Sequence, residues 1–522
     1  MPVVTSPESR LNEQEGAKTL KETPLIDWLL GRSHWAQPDR SGLPGLPLNR
    51  QLFDDIRSAI LAGQLSAGTR LPPTREVAKG LSIARNTVLY AYERLTEEGY
   101  TLTQGGSGTY VGKAPPDPAL RERVFGLSQA SEIAPLREAS RLSARARELL
   151  DGAGASDRQV GSFVLGIPDV RQFPRATWQR LITQVWKTAC QEQLGYGTRH
   201  GCPPLKRALA QYLALARGVD CSPEQIVVTQ GSHQAIDLCA RLLADPDDVV
   251  WVEDPGYWGA RSVFRAAGLK VEAVPVDAQG MQPPAAPQTA PKLIFVTPSH
   301  QYPSGVVMSL ARRRLLTELA HRHDAWIIED DYDSEFRYHG APQPSLQGLD
   351  PHRNTIYVGS FSKVLYPGLR LGFLILPPSL VDAFAVAHSE LYRGGQLQIQ
   401  TALALFIADG HYAAHIRRMR KIYGERQALL THELQRRLDG EIDIVGTDTG
   451  LHLTVLLRRA NDHLVSRCAL ANGVVARPLS SYYANSLRSR NGLVLGYGGV
   501  SEEEIGPAVA KLALAIESVS SA

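Results

Sequence analysis

The stretch that decides the fold is Ser360-Phe-Ser-Lys-Val-Leu-Tyr-Pro-Gly-Leu-Arg370. It follows the apolar run Thr355–Val358, which predicts a buried strand. A lysine held at the end of a strand can condense with an aldehyde when its surroundings lower its pKa. The hydroxyls of Ser360 and Ser362 and the fixed cation of Arg370 suit a phosphate group. Taken alone the stretch is weak evidence, because most lysines in a Ser-x-x-Lys sequence are solvated surface residues.

Three further predicted strand ends carry residues that complement Lys363. The segment Thr229–Gln234 closes a strand and opens a helix, whose free N–H groups and dipole form an anion site. Tyr257 follows another strand and can stack on a flat heterocycle, although ordinary packing explains a single tyrosine equally well. The run Glu329-Asp-Asp-Tyr332 offers a buried carboxylate that can pair with a pyridinium nitrogen. The carboxyl ends of parallel strands share one sheet edge, so we expect these groups to converge.

The architecture follows from alternating segments after Ser162. The predicted strands are Ile226–Thr229, Val249–Val252, Lys292–Val296, Ala325–Ile328 and Thr355–Val358. Amphipathic helices separate these strands, and that alternation indicates an α/β fold with a mostly parallel sheet and helices on both faces.

A compact unit from about Pro47 to Lys113 is predicted to contain three helices and a hairpin. Helical spacing of Leu52, Ile56 and Ile60 predicts the first helix. The third runs from about Arg85 to Glu98, and its polar start can place Arg and Asn against guanine and adenine in a major groove. The hairpin has a glycine-rich tip whose backbone N–H groups can approach phosphates. From spacing alone, a small helical dimerisation module remains the alternative.

Bulk properties limit the protein class. A length of 522 residues predicts two or three domains, and a net charge of +3 neither demands nor excludes nucleic acid. Five cysteines form no Cys-x-x-Cys pair, which favours a reducing cytoplasm. No apolar run approaches the roughly 18 residues of a membrane span. We also expect no metal site, because His321 and His323 point apart on a helix.

Composition also predicts the domain boundaries. We place a mobile N-terminal tail at 1–40, the helical DNA-binding unit at 41–113, a linker at 114–161 and the α/β domain at 162–522. The proline-rich start and the glycine- and alanine-rich end of the third segment are typical of a linker.

The N-terminal unit resembles the GntR-type winged helix-turn-helix. The likeness rests on Leu71-Pro-Pro-Thr-Arg-Glu-Val-Ala, on Ala84-Arg-Asn-Thr-Val-Leu-Tyr-Ala-Tyr and on Gly106-Ser-Gly-Thr-Tyr-Val. It implies DNA contacts at Arg75, Arg85, Asn86 and Thr87, and a wing at Gly105 and Gly106. Ala84 stands where such proteins often carry Ser or Thr, which implies one phosphate contact fewer.

The chain from Ser162 to Ile516 resembles the fold-type I pyridoxal-phosphate enzymes. That likeness implies a smaller C-terminal α+β subdomain and pyridoxal 5'-phosphate held by Lys363 as an internal aldimine. Asp330 would partner the pyridine nitrogen, Tyr332 would lie beside the ring oxygen and Tyr257 would stack on the ring. The implied phosphate-binding positions are Ser232, His233, Ser360, Ser362 and Arg370. Tyr196 matches a tyrosine that reaches the neighbouring subunit's phosphate, which implies a dimer with shared sites.

Two positions depart from the aminotransferase pattern. Those enzymes usually have Asn before the Pro-x-Gly turn to contact the ring oxygen, and Tyr302 occupies that place here. The contact with the ring oxygen would then fall to one of two nearby residues, His300 or Gln301. The arginine that usually clamps the substrate carboxylate is replaced by Val494, which puts an ordinary amino-acid substrate in doubt. Two nearby arginines are out of register with it: Arg488 and Arg490.

The order of winged helix, basic linker and aminotransferase-like domain resembles the MocR subfamily of GntR regulators. It implies a head-to-tail homodimer on double-stranded operator DNA, with an amine, an amino acid or pyridoxal phosphate itself as effector. Two alternatives stay open. A working aminotransferase with a DNA-binding head predicts steady turnover, whereas the regulator predicts at most slow half-reactions. A repressor with a cofactor-free scaffold is disfavoured, because Lys363, Asp330, Tyr332 and Arg370 are all present.

Overall fold

The structure is a computed structural model that describes residues 25–31, 47–104, 108–112, 142–151, 160–195, 200–340 and 343–520. The chain divides into two compact units, Met1–Glu138 and Ala139–Ala522. Among the described residues, no helix has both the length and the apolar character needed to cross a membrane.

The N-terminal unit contains the predicted three helices and hairpin, preceded by a short helix. Its elements are α1 (Leu25–Leu30), α2 (Leu48–Leu61), α3 (Thr74–Gly80), α4 (Arg85–Glu97), β1 (Thr101–Gln104) and β2 (Gly108–Val111). Strands β1 and β2 pair antiparallel, with Thr101 opposite Val111. Val88, Ala91 and Leu95 face the core of this unit, as their helical spacing predicts.

Helix α1 lies within the stretch predicted as a tail. Its Leu25 and Leu29 are buried in the same core as α2 to α4. The Ile26 side chain lies so close to Gly80 that a Cβ at position 80 would collide with it. The close approach places α1 against the end of α3, so this part of the stretch is packed against the helix-turn-helix.

The larger unit is built around an eight-stranded sheet. Its strands are β3 (Ile226–Thr229), β4 (Val249–Asp254), β5 (Lys270–Asp277), β6 (Gly280–Met281), β7 (Leu293–Val296), β8 (Trp326–Asp331), β9 (Thr355–Ser360) and β10 (Gly372–Ile375). Their order is β3-β10-β9-β8-β7-β4-β5-β6. The pairs from β5 through β4, β7 and β8 to β9 are parallel. Strands β4 and β7 are buried throughout, which explains their continuous apolar runs.

Helices cover this sheet and build the rest of the unit. They are α5 (Ala144–Asp151), α6 (Arg175–Lys187), α7 (Gln191–Leu194), α8 (Pro203–Arg217), α9 (Ser232–Leu243), α10 (Trp258–Ala267), α11 (Leu310–Arg322), α12 (Leu346–Leu349), α13 (Val381–Tyr392), α14 (Leu397–Ala408), α15 (His411–Leu438), α16 (Asp462–Ala471) and α17 (Glu502–Ser520). The α/β class is confirmed.

A smaller α+β subdomain follows α15. Its strands are β11 (Ile442–Val445), β12 (His452–Leu457), β13 (Arg477–Pro478) and β14 (Gly492–Gly496). They form an antiparallel sheet in the order β11-β12-β14-β13. Helix α17 packs on α15 and α16. The smaller subdomain therefore has the architecture that the fold-type I likeness implies.

Part of the predicted linker is integrated into the larger unit. Helix α5 lies against α10. The Ser162 backbone donates to the Gly473 carbonyl oxygen over 3.0 Å, and Val475 donates to the Ser162 carbonyl oxygen over 2.8 Å. These bonds hold the start of the predicted α/β domain against the C-terminal subdomain.

Candidate functional site

A cavity of about 650 Å³ lies where β4, β7, β8 and β9 end. Parallel strands bring the residues that follow them to one edge of the sheet, which is why these distant positions meet. Five residues predicted from the sequence line the cavity: Lys363, Asp330, Tyr332, Tyr257 and Ser232. The expected convergence at the sheet edge is therefore present.

Lys363 points into this cavity and contacts a loop from the start of the unit. Its Nζ donates a hydrogen bond to the Gly166 carbonyl oxygen over 2.8 Å. Gly166 has φ of +67°, and a Cβ there would collide with Nζ. Burial lowers the pKa of Lys363, while the carboxylates of Asp333 and Asp330 oppose that shift. A depressed pKa leaves more of the amine neutral and therefore nucleophilic.

Asp330 is the carboxylate best placed to receive a cationic ligand. It is 4% exposed, and its Oδ1 has no hydrogen-bond partner among the described residues. Burial, followed by the neighbouring charge of Asp331, raises the pKa of Asp330 to about 7. Asp331 differs, because Arg217 Nε and the Tyr357 hydroxyl each donate to it over 2.7 Å. A protonated ring nitrogen would supply the partner that Asp330 lacks.

Another part of the cavity wall combines a helix start with an aromatic ring. Ser232 is the first residue of α9 and follows Gly231, whose φ is +99°. Free N–H groups at a helix start suit an anion. Tyr257 lies beside it, and its hydroxyl is 2.5 Å from His233 Nε2. Burial lowers the pKa of His233, and the charges of Arg370 and Lys363 add to that effect.

The remaining predicted phosphate-binding residues lie outside the cavity wall. The residues not lining it are His233, Ser360, Ser362 and Arg370. The Ser362 backbone donates to Ser360 Oγ over 3.2 Å, so these two serines are oriented by the loop itself. Arg370 is exposed with φ of +50°. Tyr196 lies outside the described residues.

A buried hydrogen-bonded group supports Tyr332. Its hydroxyl donates to the His300 carbonyl oxygen over 2.8 Å. His300 Nδ1 is 3.0 Å from Asp333 Oδ2, and His452 Nε2 donates to the Pro303 carbonyl oxygen over 3.1 Å. His300, Asp333 and His452 are also close enough to share one ion. Burial lowers the pKa of His452 far below its ordinary value, which keeps that ring neutral.

The structure shows which residues lie at the cavity near the two positions that depart from the aminotransferase pattern. Neither His300 nor Gln301 lines the cavity, whereas Tyr302 does. Val494 is fully buried in β14, and its partner across the β13–β14 pair is Arg477, which does line the cavity. Sequence reasoning missed Arg477, because pairing register between distant segments has no local signal.

Other missed residues come from the predicted linker and from the loop after it. Val160 and Gly161 line the cavity together with Gly166. A Cβ at Gly161 would collide with the Gly473 carbonyl oxygen, so glycine permits that close approach. A glycine that follows a glycine- and alanine-rich stretch carries no signal of such a contact in the sequence.

The predicted DNA-contacting residues gather at the start of α4. Arg85 and Asn86 are its first residues and are exposed, and Thr87 is half-buried. Arg75 is exposed on α3. Ala84 precedes α4 and provides no side-chain cap. The predicted wing residues Gly105 and Gly106 lie outside the described residues.

Comparisons with known proteins agree with both units. Residues 165–512 match the family "Aminotransferase class I and II", and residues 48–111 match "Bacterial regulatory proteins, gntR family". The chain is 40% identical over 459 residues to the probable rhizopine catabolism regulatory protein MocR of Rhizobium meliloti, covering 87% of this chain and 91% of that protein.

Two further relatives extend the comparison. The pyridoxine biosynthesis transcriptional regulator PdxR of Corynebacterium glutamicum is 31% identical, over 89% of this chain and 95% of that protein. The solved structure of the α-aminoadipate aminotransferase LysN from Thermus thermophilus, complexed with N-(5'-phosphopyridoxyl)-L-leucine, is 27% identical with a TM-score of 0.64. That match covers 73% of this chain and 96% of LysN.

The cofactor that this fold family implies is pyridoxal 5'-phosphate. The residues present fit it, because Lys363 supplies the amine, the unpartnered Oδ1 of Asp330 suits a ring nitrogen and the start of α9 suits a phosphate. A gntR-family domain precedes this aminotransferase-like domain in a single chain. The chain therefore belongs to the MocR subfamily of GntR-type transcriptional regulators.

Proposed function

We propose that this protein is a cytoplasmic regulator that binds operator DNA as a homodimer, and that an amine ligand in the Lys363 cavity changes its DNA affinity. The observation that carries the proposal is the presence, in one chain, of an exposed polar start of α4 and a cavity lined by Lys363 and Asp330. Free cysteines throughout the described residues agree with a reducing compartment.

The cavity residues support a ligand-sensing role. Bound pyridoxal phosphate supplies an aldehyde that captures amines reversibly. Lys363 holds its amine beside Gly166, and burial lowers the pKa of that amine. Asp330 would provide a negative charge for the ring nitrogen, Tyr257 would offer a ring face, and the first N–H groups of α9 would anchor the phosphate. These residues would hold the cofactor and so fix where an amine ligand meets it in the cavity.

The DNA side of the proposal rests on α4. Arg85, Asn86 and Thr87 begin this helix, with Arg75 on α3, and we assign these four residues to operator contacts together with Gly105 and Gly106. An effector changes DNA affinity only when its own affinity differs between the arrangement of the protein that binds the operator and the arrangement that does not. We propose that the protein forms a head-to-tail dimer in which Tyr196 reaches the cofactor phosphate bound by the partner subunit. The dimer would have two arrangements, and only one of them would bind the operator.

Steady aminotransferase turnover is the less favoured function. Val494 occupies the position at which those enzymes carry the carboxylate-clamping arginine, and it is fully buried. Loss of that clamp removes a contact that orients a substrate for turnover. Reversible amine binding requires only Lys363 and the groups that hold the cofactor.

The decisive experiment is DNA binding to the upstream region of the protein's own gene. Binding is measured by fluorescence anisotropy with and without pyridoxal phosphate, while a panel of amines and amino acids is added. We expect sequence-specific binding whose affinity changes with cofactor or amine. Absence of specific binding under every condition would contradict the regulator and favour the enzyme, whose steady turnover with a keto acid is assayed in parallel.

A Lys363→Ala variant tests the role of the cavity. We expect it to lose the visible absorbance of the bound cofactor and the response to amines. Lys511, exposed on α17, is a matched control, because Lys511→Ala removes a lysine that does not line the cavity. Visible absorbance that persists in Lys363→Ala contradicts the assignment of Lys363.

A further inference from the structure

Two large apolar side chains are exposed on α4, just beyond its polar start. Leu89 is 39% exposed and Tyr90 is 46% exposed. Other residues of the helix form its buried face: Val88, Ala91, Tyr92 and Leu95. The core of the DNA-binding unit is therefore built without Leu89 and Tyr90, and the fold of the unit gives no reason for an apolar residue at either position.

Leu89 is the one of the two that is grouped with the residues assigned to the operator. It lies four residues after Arg85 and three after Asn86, so the three side chains share one stripe of the helix surface. Helical side chains lean toward the helix start, which brings the Leu89 side chain over the first turn. Tyr90 differs, because its hydroxyl is close enough to the Arg94 guanidinium for a charge interaction one turn further along.

The distribution of charge along α4 favours DNA contact by its first half. Both acidic residues of the helix, Glu93 and Glu97, lie in its second half and are exposed. DNA phosphates repel these carboxylates, whereas they attract Arg85 and the positive end of the helix dipole. Leu89 precedes Glu93 and therefore lies in the half of the helix that the DNA attracts.

We propose that Leu89 determines operator specificity by packing against the C5-methyl group of a thymine in the major groove. The inference rests on the operator-binding function proposed above and names the base chemistry that one operator position presents. Base-pair edges in the major groove carry hydrogen-bond donors and acceptors, and the thymine methyl is the apolar group among them. Leu89 gains free energy beside that methyl, whereas against a polar edge it removes water without replacing the lost hydrogen bonds.

Helix geometry limits where this thymine lies. Leu89 is about 6 Å along the helix axis from Arg85, because an α-helix rises about 1.5 Å per residue. Successive base pairs of B-DNA are about 3.4 Å apart. We therefore expect the thymine within about two base pairs of the base that Arg85 contacts.

The test removes the methyl group alone. The probe is the segment of the upstream region of the protein's own gene that a footprint of the full-length protein defines. Each thymine of this duplex is replaced in turn by deoxyuridine, which lacks the methyl group and keeps both hydrogen bonds to adenine. Fluorescence anisotropy at fixed salt measures the affinity for each duplex. We expect about a fourfold loss of affinity at one or two thymines of each half-site, as for one methyl group that is no longer buried.

Variants assign the methyl dependence to one side chain. Leu89→Ala is expected to bind the unmodified duplex several-fold more weakly and to bind the thymine and deoxyuridine duplexes equally at that position. Tyr90→Ala and Leu215→Ala are controls that should keep the full difference, because Tyr90 is the exposed neighbour on α4 and Leu215 is a 90% exposed leucine of the larger unit. Circular dichroism checks the fold of each variant, and Leu89→Ser decides the outcome if Leu89→Ala does not fold.

Two results overturn the inference while the proposed function stands. The first is specific binding by the unmodified protein to a duplex in which no thymine can be replaced by deoxyuridine with a loss of affinity. The second is a methyl dependence in Leu89→Ala equal to that of the unmodified protein. Both are measured on a duplex that the protein binds specifically, so they are distinguishable from a lack of specific binding, which would contradict the proposed function and this inference together.

Discussion

The Nζ atom of Lys363 donates a 2.8 Å hydrogen bond to the carbonyl oxygen of Gly166, 197 residues earlier in the chain. Gly166 permits this contact because it has no Cβ and adopts a φ of +67°. The loop that contains Gly166 therefore closes one side of the cavity directly over the reactive amine. Any side chain at position 166 would occupy the space that the amine needs.

Substitution of Gly166 is expected to disrupt cofactor binding. Gly166→Ala should weaken pyridoxal phosphate binding by about tenfold or more, because the new Cβ collides with Nζ. Equilibrium dialysis or absorbance titration measures that affinity. The control is Gly440→Ala, since Gly440 has φ of +77° and no atom within 4 Å of an added Cβ. Both variants place an alanine at a positive φ, which costs about 1–2 kcal/mol of folding free energy in each. Equal cofactor affinities of the two variants would therefore contradict a collision between the new Cβ and Nζ of Lys363.

Asp330→Asn is expected to stabilise the cofactor-free protein at high pH. The pKa of Asp330 is raised to about 7, above the roughly 3.9 of an unfolded aspartate. Between these values the folded protein retains a proton that the unfolded chain has released, so the carboxyl group lowers stability as pH rises through this window. Denaturation at pH 4, 6 and 8 should show a gain for the variant that grows with pH, by up to about 1.4 kcal/mol per pKa unit.

Asp330→Asn should also bind the cofactor more weakly, by about tenfold or more, because the ring nitrogen loses a charged partner. Asp331→Asn provides the contrast. It leaves the buried guanidinium of Arg217 without its carboxylate and should cost about 3–5 kcal/mol of folding free energy. If Asp330→Asn destabilises the protein at pH 8 as Asp331→Asn does, Asp330 is a structural residue.

Arg85→Ala tests the assignment of α4 to the operator. Arg85 is exposed at the first position of the helix, so its removal should leave the fold unchanged. We expect operator binding to weaken by roughly 1–3 kcal/mol, as for loss of one base contact. Anisotropy at fixed salt measures the effect. Glu97→Ala, at the exposed far end of the same helix, should not weaken binding; a similar loss there would argue against a recognition role for the helix start.

Leu29→Ala tests whether α1 stabilises the DNA-binding unit. Leu29 is fully buried against the core of α2 to α4, so truncation should cost roughly 2–5 kcal/mol. Hydrogen exchange of the α2 to α4 amides in the full chain reports this local stability. The adjacent Leu30 is 36% exposed, and Leu30→Ala should cost less than about 1 kcal/mol. Equal exchange rates in the two variants would show that α1 does not support this unit.

Local patterns were sufficient to predict the α/β class and five residues of the cavity wall. Apolar runs of strand length mark β7 and β9 because their residues are buried on both faces. Residues that follow parallel strands necessarily meet at one sheet edge, so Lys363, Asp330 and Tyr257 were predictable as a group. Helical spacing identified the buried face of α4 and hence its exposed polar start.

The tertiary structure was needed to predict contacts between segments that no local sequence pattern connects. The approach of Gly166 to Lys363, the packing of α1 beside Gly80 and the pairing of Arg477 with Val494 each join distant or separately folded segments. Local propensity determines whether a segment is a strand or helix, whereas pairing register and close backbone approach depend on how the whole domain packs. The sequence by itself therefore determined the class of chemistry at Lys363, and the packing determined which residues surround it.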